Sequence, residues 1–130
     1  MILSDQQIID AARRCPVPEA ILKAANRHPA TYGHVRVNAL RYPILDDDRV
    51  VGFVTPRATH IGYRLGPIFV SEEARGRGLG RATVLLFRDR GLVACVPDVS
   101  PASHAMHIAC GFVPWKRYAK GVWYRLPVTP

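Results

Sequence analysis

The sequence is short of acidic residues, short of cysteine and without any long apolar run, and each shortage narrows what the chain can be. Asp and Glu number 10 against 18 Lys and Arg, a formal charge of +8 with histidine neutral. So basic a chain favours anionic partners: a phosphorylated cofactor, nucleic acid or an acidic surface. The basic residues are spread along the chain and not gathered in a tail, which weakens the nucleic-acid reading. The three cysteines, Cys15, Cys95 and Cys110, are odd in number and form no C-x-x-C pair. Neither a disulfide framework nor a zinc ribbon is indicated, and reduced thiols of a cytoplasmic protein are expected. No apolar run approaches the roughly 20 residues needed to cross a bilayer, and Met1-Ile2-Leu3-Ser4-Asp5 lacks the basic start of a signal peptide. No membrane partner is expected. Repeats, low-complexity tracts and linkers are also missing. With 130 residues, 48% of them hydrophobic, residues 1–130 are expected to form one domain with a real core.

What is present reads as alternating helices and strands. Ser4 and Gln7 have capping-box spacing, with Ile8, Ala11 and Ala12 following on one face, so a first helix runs to about Cys15-Pro16. A second starts at Pro18 and stops at His28-Pro29, because the residue before a proline avoids the α region. His34 to Val37 has the composition of a short strand. Leu40–Leu45 and Val50–Val54 flank Asp46-Asp47-Asp48, acidic turn residues between two β-prone runs, and read as a hairpin. A further strand covers Ile61 to Val70, interrupted by Gly66-Pro67. A helix runs from Gly78 through Phe87 and is stopped by Gly91. Leu92–Val96 is a buried-type strand. Ser100-Pro101 begins a short helix ending at Gly111, and Phe112-Val113 and Gly121–Leu126 close the chain as strands. This order indicates a mixed α/β fold.

The most informative stretch is Arg75-Gly76-Arg77-Gly78-Leu79-Gly80-Arg81, which carries an apolar strand directly into a helix. Backbone N–H groups at a helix start have no intrahelical partner and attract phosphate, and glycines let a pyrophosphate approach. Arg75, Arg77 and Arg81 add charge-assisted contacts. A plain turn with solvated arginines does not account for three glycines and three arginines in so short a run. A dinucleotide-binding turn fails on register, since Gly76, Gly78 and Gly80 do not give G-x-G-x-x-G, and no first βαβ unit surrounds it. A Walker A loop is excluded because no Gly-Lys-Ser/Thr follows.

This run resembles the acetyl-CoA signature of the GNAT acetyltransferase superfamily, Arg/Gln-x-x-Gly-x-Gly/Ala, with Arg75, Gly78 and Gly80 at its fixed positions. Val70 falls where that family ends its cofactor-pairing strand, and the element order from Tyr42 onward is similar, about two thirds of the chain. The resemblance implies an α/β, GNAT-like domain whose mixed, mostly antiparallel central sheet is splayed at the cofactor site, with helices on both faces. It also implies acetyl-CoA as acyl donor. Ile68, Phe69 and Val70 would pair with the pantetheine arm in a gap beside Leu92–Val96, Arg75 to Arg81 would hold the pyrophosphate, and Ser100 and Ser103 would lie against the cofactor.

Ser100 to Phe112 resembles the family's other signature, Asn-x-Ala-Ser-x-x-Leu-Tyr-x-x-x-Gly-Phe. Ala102, Ser103, Gly111 and Phe112 are in register, while Ser100 replaces Asn and Met106 replaces Leu. The main departure is His107, at the position of a Tyr that in the family often protonates the leaving thiolate. Two roles are open to it: a substitute acid, or a residue that only hydrogen-bonds the cofactor or local backbone. His104 and His107 are three apart on a helix, but no third ligand has convincing spacing, so no metal site is expected.

Transfer to an amine requires a base. Glu72, Glu73, His60, His34 and Asp98 are the candidates, with a solvated turn the plainer account of the two glutamates. Trp115, Tyr118, Trp123 and Tyr124 are interleaved with Lys116, Arg117, Lys120 and Arg125. Half-buried sheet residues are the plainer reading of this stretch, and a nucleobase pocket the sharper one. The leading expectation is an N-acyltransferase acting by direct transfer from acetyl-CoA to an unidentified amine. The rivals are an enzyme that modifies a nucleobase in DNA or RNA, as the GNAT-like phage Mom-type proteins do, and a non-catalytic acyl-CoA-binding module. The family often dimerises, so a homodimer is also implied.

Overall fold

The computed structural model describes residues 3–28 and 39–128; the strand expected at His34 to Val37, and His34 as a base, lie outside them. Helix α1 (Asp5–Arg14) begins as its sequence requires. The Ser4 hydroxyl accepts from the Gln7 N–H at 3.1 Å and the Gln7 side chain accepts from the Ser4 N–H at 2.8 Å, so two otherwise orphaned donors are satisfied. Helix α2 spans Glu19–Arg27. Strands β1 (Tyr42–Asp46) and β2 (Arg49–Val54) form the acidic-turn hairpin. The expected Ile61–Val70 strand is present in two pieces, β4 (Tyr63–Arg64) and β5 (Phe69–Val70), with β4 pairing a short β3 (Arg57–Ala58). Pro67 has no N–H to give to a ladder. Thr55 spans the break instead, its N–H donating to Leu65 O at 2.8 Å and its hydroxyl to Pro67 O at 3.1 Å.

Helix α3 (Leu79–Leu85), β6 (Val93–Pro97), α4 (Pro101–Ala109), β7 (Val113–Tyr118) and β8 (Gly121–Arg125) complete the order. β7 is longer than Phe112-Val113 foretold. It is an edge strand, exposed along nearly its whole length, so Pro114, Lys116 and Arg117 are tolerated there and no alternating apolar pattern marks it.

Pairing in these sheets is antiparallel: β1-β2-β5, β3-β4 and β6-β8-β7. β4 meets the β6 end through one isolated parallel bridge, Tyr63 to Leu92, with the Tyr63 N–H donating to Gly91 O at 3.1 Å. Past that bridge β5 and β6 belong to different sheets, so the chain is splayed between them. Helices cover both faces. Ile8 of α1 and Val84 of α3 join Ile44, Val54 and Leu92 in the main core, while Ala25 of α2 packs with Phe53 and Phe69 on the other side. No helix among the described residues is long and apolar enough to cross a membrane.

Gly52 is required by packing. It stands opposite Val70, and a Cβ on it would lie 2.1 Å from the Phe69 carbonyl oxygen. Gly52→Ala would therefore push β5 away from β2, with an expected loss of about 2 kcal/mol or more. A urea midpoint unchanged from wild type would refute this close approach.

Candidate active site

The register of the flanking strands determines which backbone groups face the splay. Ser71 N–H donates to Val51 O at 2.8 Å, two residues along the same ladder from Phe69 and Phe53. In an antiparallel pair the hydrogen-bonded positions alternate. Phe69 thus spends its N–H and C=O on β2, and Val70 turns its N–H toward the gap while its C=O accepts from Arg75 Nε. On the other side, Leu126 N–H donates to Leu92 O at 2.9 Å and Asp98 N–H to Lys120 O at 2.8 Å. The same alternation gives the even-numbered residues of β6 to β8, and leaves Cys95 presenting N–H and C=O to the gap and Val93 its C=O, the Val93 N–H facing Tyr63 at the bridge. Two strand edges therefore face each other without pairing. The expectation that both Phe69 and Val70 would offer backbone groups is corrected to Val70.

A cavity of about 660 Å³ occupies this gap. Ile68, Phe69 and Val70 line one side, Val93 and Cys95 the other, and Arg75, Gly76, Gly78, Leu79, Gly80 and Arg81 one end. Ser100 and Ser103 of the α4 start also reach it. Gly76 and Gly78 have φ of 80° and 75°, the left-handed region. No neighbour lies within 4 Å of a Cβ added at either, so glycine is needed there for backbone conformation and not for space. The Arg75 Nε donates to Val70 O at 2.8 Å with the guanidinium 5.6 Å from the Phe69 ring. That pins the loop to the end of β5 and leaves the four Nη–H donors for an anion. No aspartate or glutamate is among the lining residues, whereas Arg64, Arg75 and Arg81 are. The cavity is cationic at one end and an apolar slot with exposed amide groups along the rest.

No protein-family model and no curated protein matches the sequence. Solved structures do match the fold. An acetyltransferase from Thermus thermophilus superposes with a TM-score of 0.60 at 24% identity, over 72% of this chain and 67% of that one. The ribosomal-protein-S18-alanine N-acetyltransferase from Escherichia coli gives 0.57 at 16% identity, over 100% and 93%. A GNAT superfamily phosphinothricin acetyltransferase from Sinorhizobium meliloti, solved in complex with acetyl-CoA, gives 0.56 at 21% identity, over 95% and 82%. This chain has the GNAT fold. The splay, the glycine-arginine loop and the following α3 are thus parts of one known architecture.

Within the GNAT fold several expected site residues change standing. Arg77 does not line the cavity. Its guanidinium pairs with Asp46 at 2.7 Å, so only its backbone remains in the loop. Glu72 sits in a 3₁₀ turn, exposed, and His60 in the exposed turn between β3 and β4; neither reaches the cavity.

His107 does line the cavity, buried, with Nδ1 2.7 Å from Ser103 O and the ring stacked on Tyr124 and edge-on to Phe112. A carbonyl only accepts, so Nδ1 carries a proton. Burial lowers the His107 pKa, more than the bond to Ser103 restores it. The ring is thus held to the backbone of its own helix through Nδ1, and Nε2 has no hydrogen-bond partner among the described residues. His104 is also engaged. Its Nε2 donates to Pro97 O at 2.9 Å, leaving Nδ1 to accept from the Tyr124 hydroxyl at 2.8 Å.

Among the lining residues that sequence does not single out are Arg64 and His28, the latter at the end of α2, edge-on to Phe69 with ring centroids 5.9 Å apart. The His28 signal was read only as a helix stop before proline. Nothing local says that α2 ends over β5.

The His107 environment predicts a pH dependence. Because the folded pKa is lowered from its ordinary value near 6.5, the unfolded chain binds a proton more readily below that pH. The neutral ring's contribution is whole above about pH 6.5 and is lost as pH falls through the window beneath it. Urea midpoints taken from about pH 8 down to about pH 5 should fall more steeply for wild type than for His107→Phe. Parallel slopes would contradict the assignment.

Proposed function

We propose that this protein is an acyl-CoA-dependent N-acyltransferase that takes its acyl group from acetyl-CoA and passes it directly to an amine. The observation carrying this reading is the pair of unpaired strand edges ending at the arginine-glycine loop. A ligand that fits must be extended, bear amides that complete a ladder with Val70 on one side and Val93 and Cys95 on the other, and end in phosphates. Pantetheine joined to a pyrophosphate has that form. The solved relatives with this fold are acetyltransferases, one of them in complex with acetyl-CoA, which supports the same assignment.

In this mechanism the amine nitrogen attacks the thioester carbonyl carbon, the C–N bond forms, the C–S bond breaks, and the thiol product takes up a proton. Backbone N–H groups facing the gap stabilise the oxyanion without needing to reorganise. His28 is the proposed base. It lines the cavity beside Phe69 at the end of β5, and no carboxylate lines the site. An imidazole is the side-chain type suited to take a proton near neutrality. The leaving thiolate takes its proton from water or from the nitrogen of the tetrahedral intermediate, which loses one on becoming an amide.

Arg75→Gln removes a charge-assisted contact to phosphate and should weaken acetyl-CoA binding roughly 10- to 100-fold by calorimetry. Undiminished affinity would place the phosphates elsewhere. With a panel of a polyamine, an amino sugar and a peptide with a free N-terminus, coenzyme A release should depend on one of the amines. His28→Ala should lower that turnover on the order of 100-fold, with acetyl-CoA affinity retained. Tight acetyl-CoA binding without release for any amine would identify a binding module and not an enzyme.

A further inference from the structure

Both tryptophans of the chain lie on one face of the β6-β8-β7 sheet. Tyr124 points into the main core, so its neighbour Trp123 points the other way. Across the hairpin Lys116 stands opposite Trp123, and the register shift between Pro114 and Lys116 brings Trp115 beside it. The resulting cluster alternates rings and cations. The Arg64 guanidinium is 5.3 Å from the Trp123 ring, and the Lys116 ammonium is 5.9 Å from Trp123 and 4.5 Å from Trp115. Trp115 and Tyr118 meet Trp123 at 6.4 and 6.5 Å, each edge to face. Trp115 remains 40% exposed.

Among the described residues the ion pairs join Asp5, Glu19, Asp46 and Asp98 to other cations, and none involves Arg64 or Lys116. Arg64 stands directly opposite Arg57 across the β3-β4 ribbon. Arg64 also lines the cavity, so the cationic, aromatic face begins at the mouth of the candidate active site.

We infer that this face binds single-stranded nucleic acid, with bases stacking on Trp115 and Trp123 and phosphates drawn to Arg64 and Lys116. Aromatic platforms bordered by cations suit a ligand that presents flat bases and a charged backbone at alternating positions. An acidic peptide supplies the charge but nothing to stack. A second copy of this chain would bring the same +8 to the contact. The inference stands on this surface alone and does not depend on acyl transfer.

Because Trp115 and Trp123 are the whole tryptophan content, intrinsic fluorescence reads the face directly. Titration of the full chain with oligothymidylate and oligouridylate should give saturable quenching, the tighter of the two telling whether DNA or RNA is preferred. About three neutralised phosphates predict binding roughly 20-fold weaker at 200 mM salt than at 50 mM. Trp115→Ala, at an exposed position, should melt like wild type and keep acetyl-CoA affinity, yet bind the oligonucleotide roughly tenfold more weakly, read from the remaining Trp123. Lys116→Gln should reduce the salt slope. The inference is overturned if neither oligonucleotide quenches saturably, if polyglutamate or duplex DNA of matched charge binds as tightly, or if Trp115→Ala binds like wild type.

Discussion

The arrangement depends on two strands that start together and then do not pair. Tyr63 and Leu92 form one parallel bridge, and beyond it β5 and β6 diverge. Buried backbone N–H and C=O groups are costly to leave unsatisfied, so a gap edged by Val70, Val93 and Cys95 is stable only where solvent or a ligand completes the ladder. Each side of the splay is held by its own antiparallel partners, β2 for β5 and β8 for β6. The gap is kept open by pairing elsewhere and needs no strain across it. Selectivity follows directly: the complement to such a gap is an extended molecule carrying amides at peptide-like spacing.

Scarcity of carboxylates gives the site its charge. Asp46 is committed to Arg77 and Arg49, Asp5 to Arg90, and Asp98 to Arg117. The hydrogen bonds and charge of Asp98 raise the Arg117 pKa, but that pair is exposed and of little worth to stability. Its consequence is distribution. The acids neutralise cations around the periphery, and the cavity is left with Arg64, Arg75 and Arg81 and no acid among its lining residues. The net +8 is thus sorted by position, so a general excess of base becomes a local cluster of cations.

Helix α4 shows how the local surroundings of a histidine decide what its two nitrogens do. An imidazole at position 107 is shorter than a phenol and has two nitrogens, one of which reaches the Ser103 carbonyl one turn back. That bond, with packing against Phe112 and Tyr124, makes His107 part of the helix's attachment to the sheet. His104 serves the same end by joining Pro97 to Tyr124. Both histidines of α4 thus take part in orienting the helix over the cavity.

The sequence by itself determined the features written in local chemistry. The Ser4–Gln7 cap, the hairpin at the three aspartates, the end of β5 at Val70 and the glycine-arginine loop all follow from side chains acting on adjacent backbone, and each stands where its residues indicated. The GNAT fold was legible because that loop and the element order are local patterns too. Tertiary structure alone decided which residues share the cavity. Arg77, inside the motif, leaves it because Asp46 is closer to its guanidinium than the gap is. Glu72 and His60 fall on turns that face solvent, whereas His28, far away in the chain, arrives because α2 packs Ala25 against Phe53 and Phe69. The parity that gives Val70 and not Phe69 to the gap depends on which strand β5 pairs with. These are consequences of long-range packing and register, and no spacing within a segment encodes them.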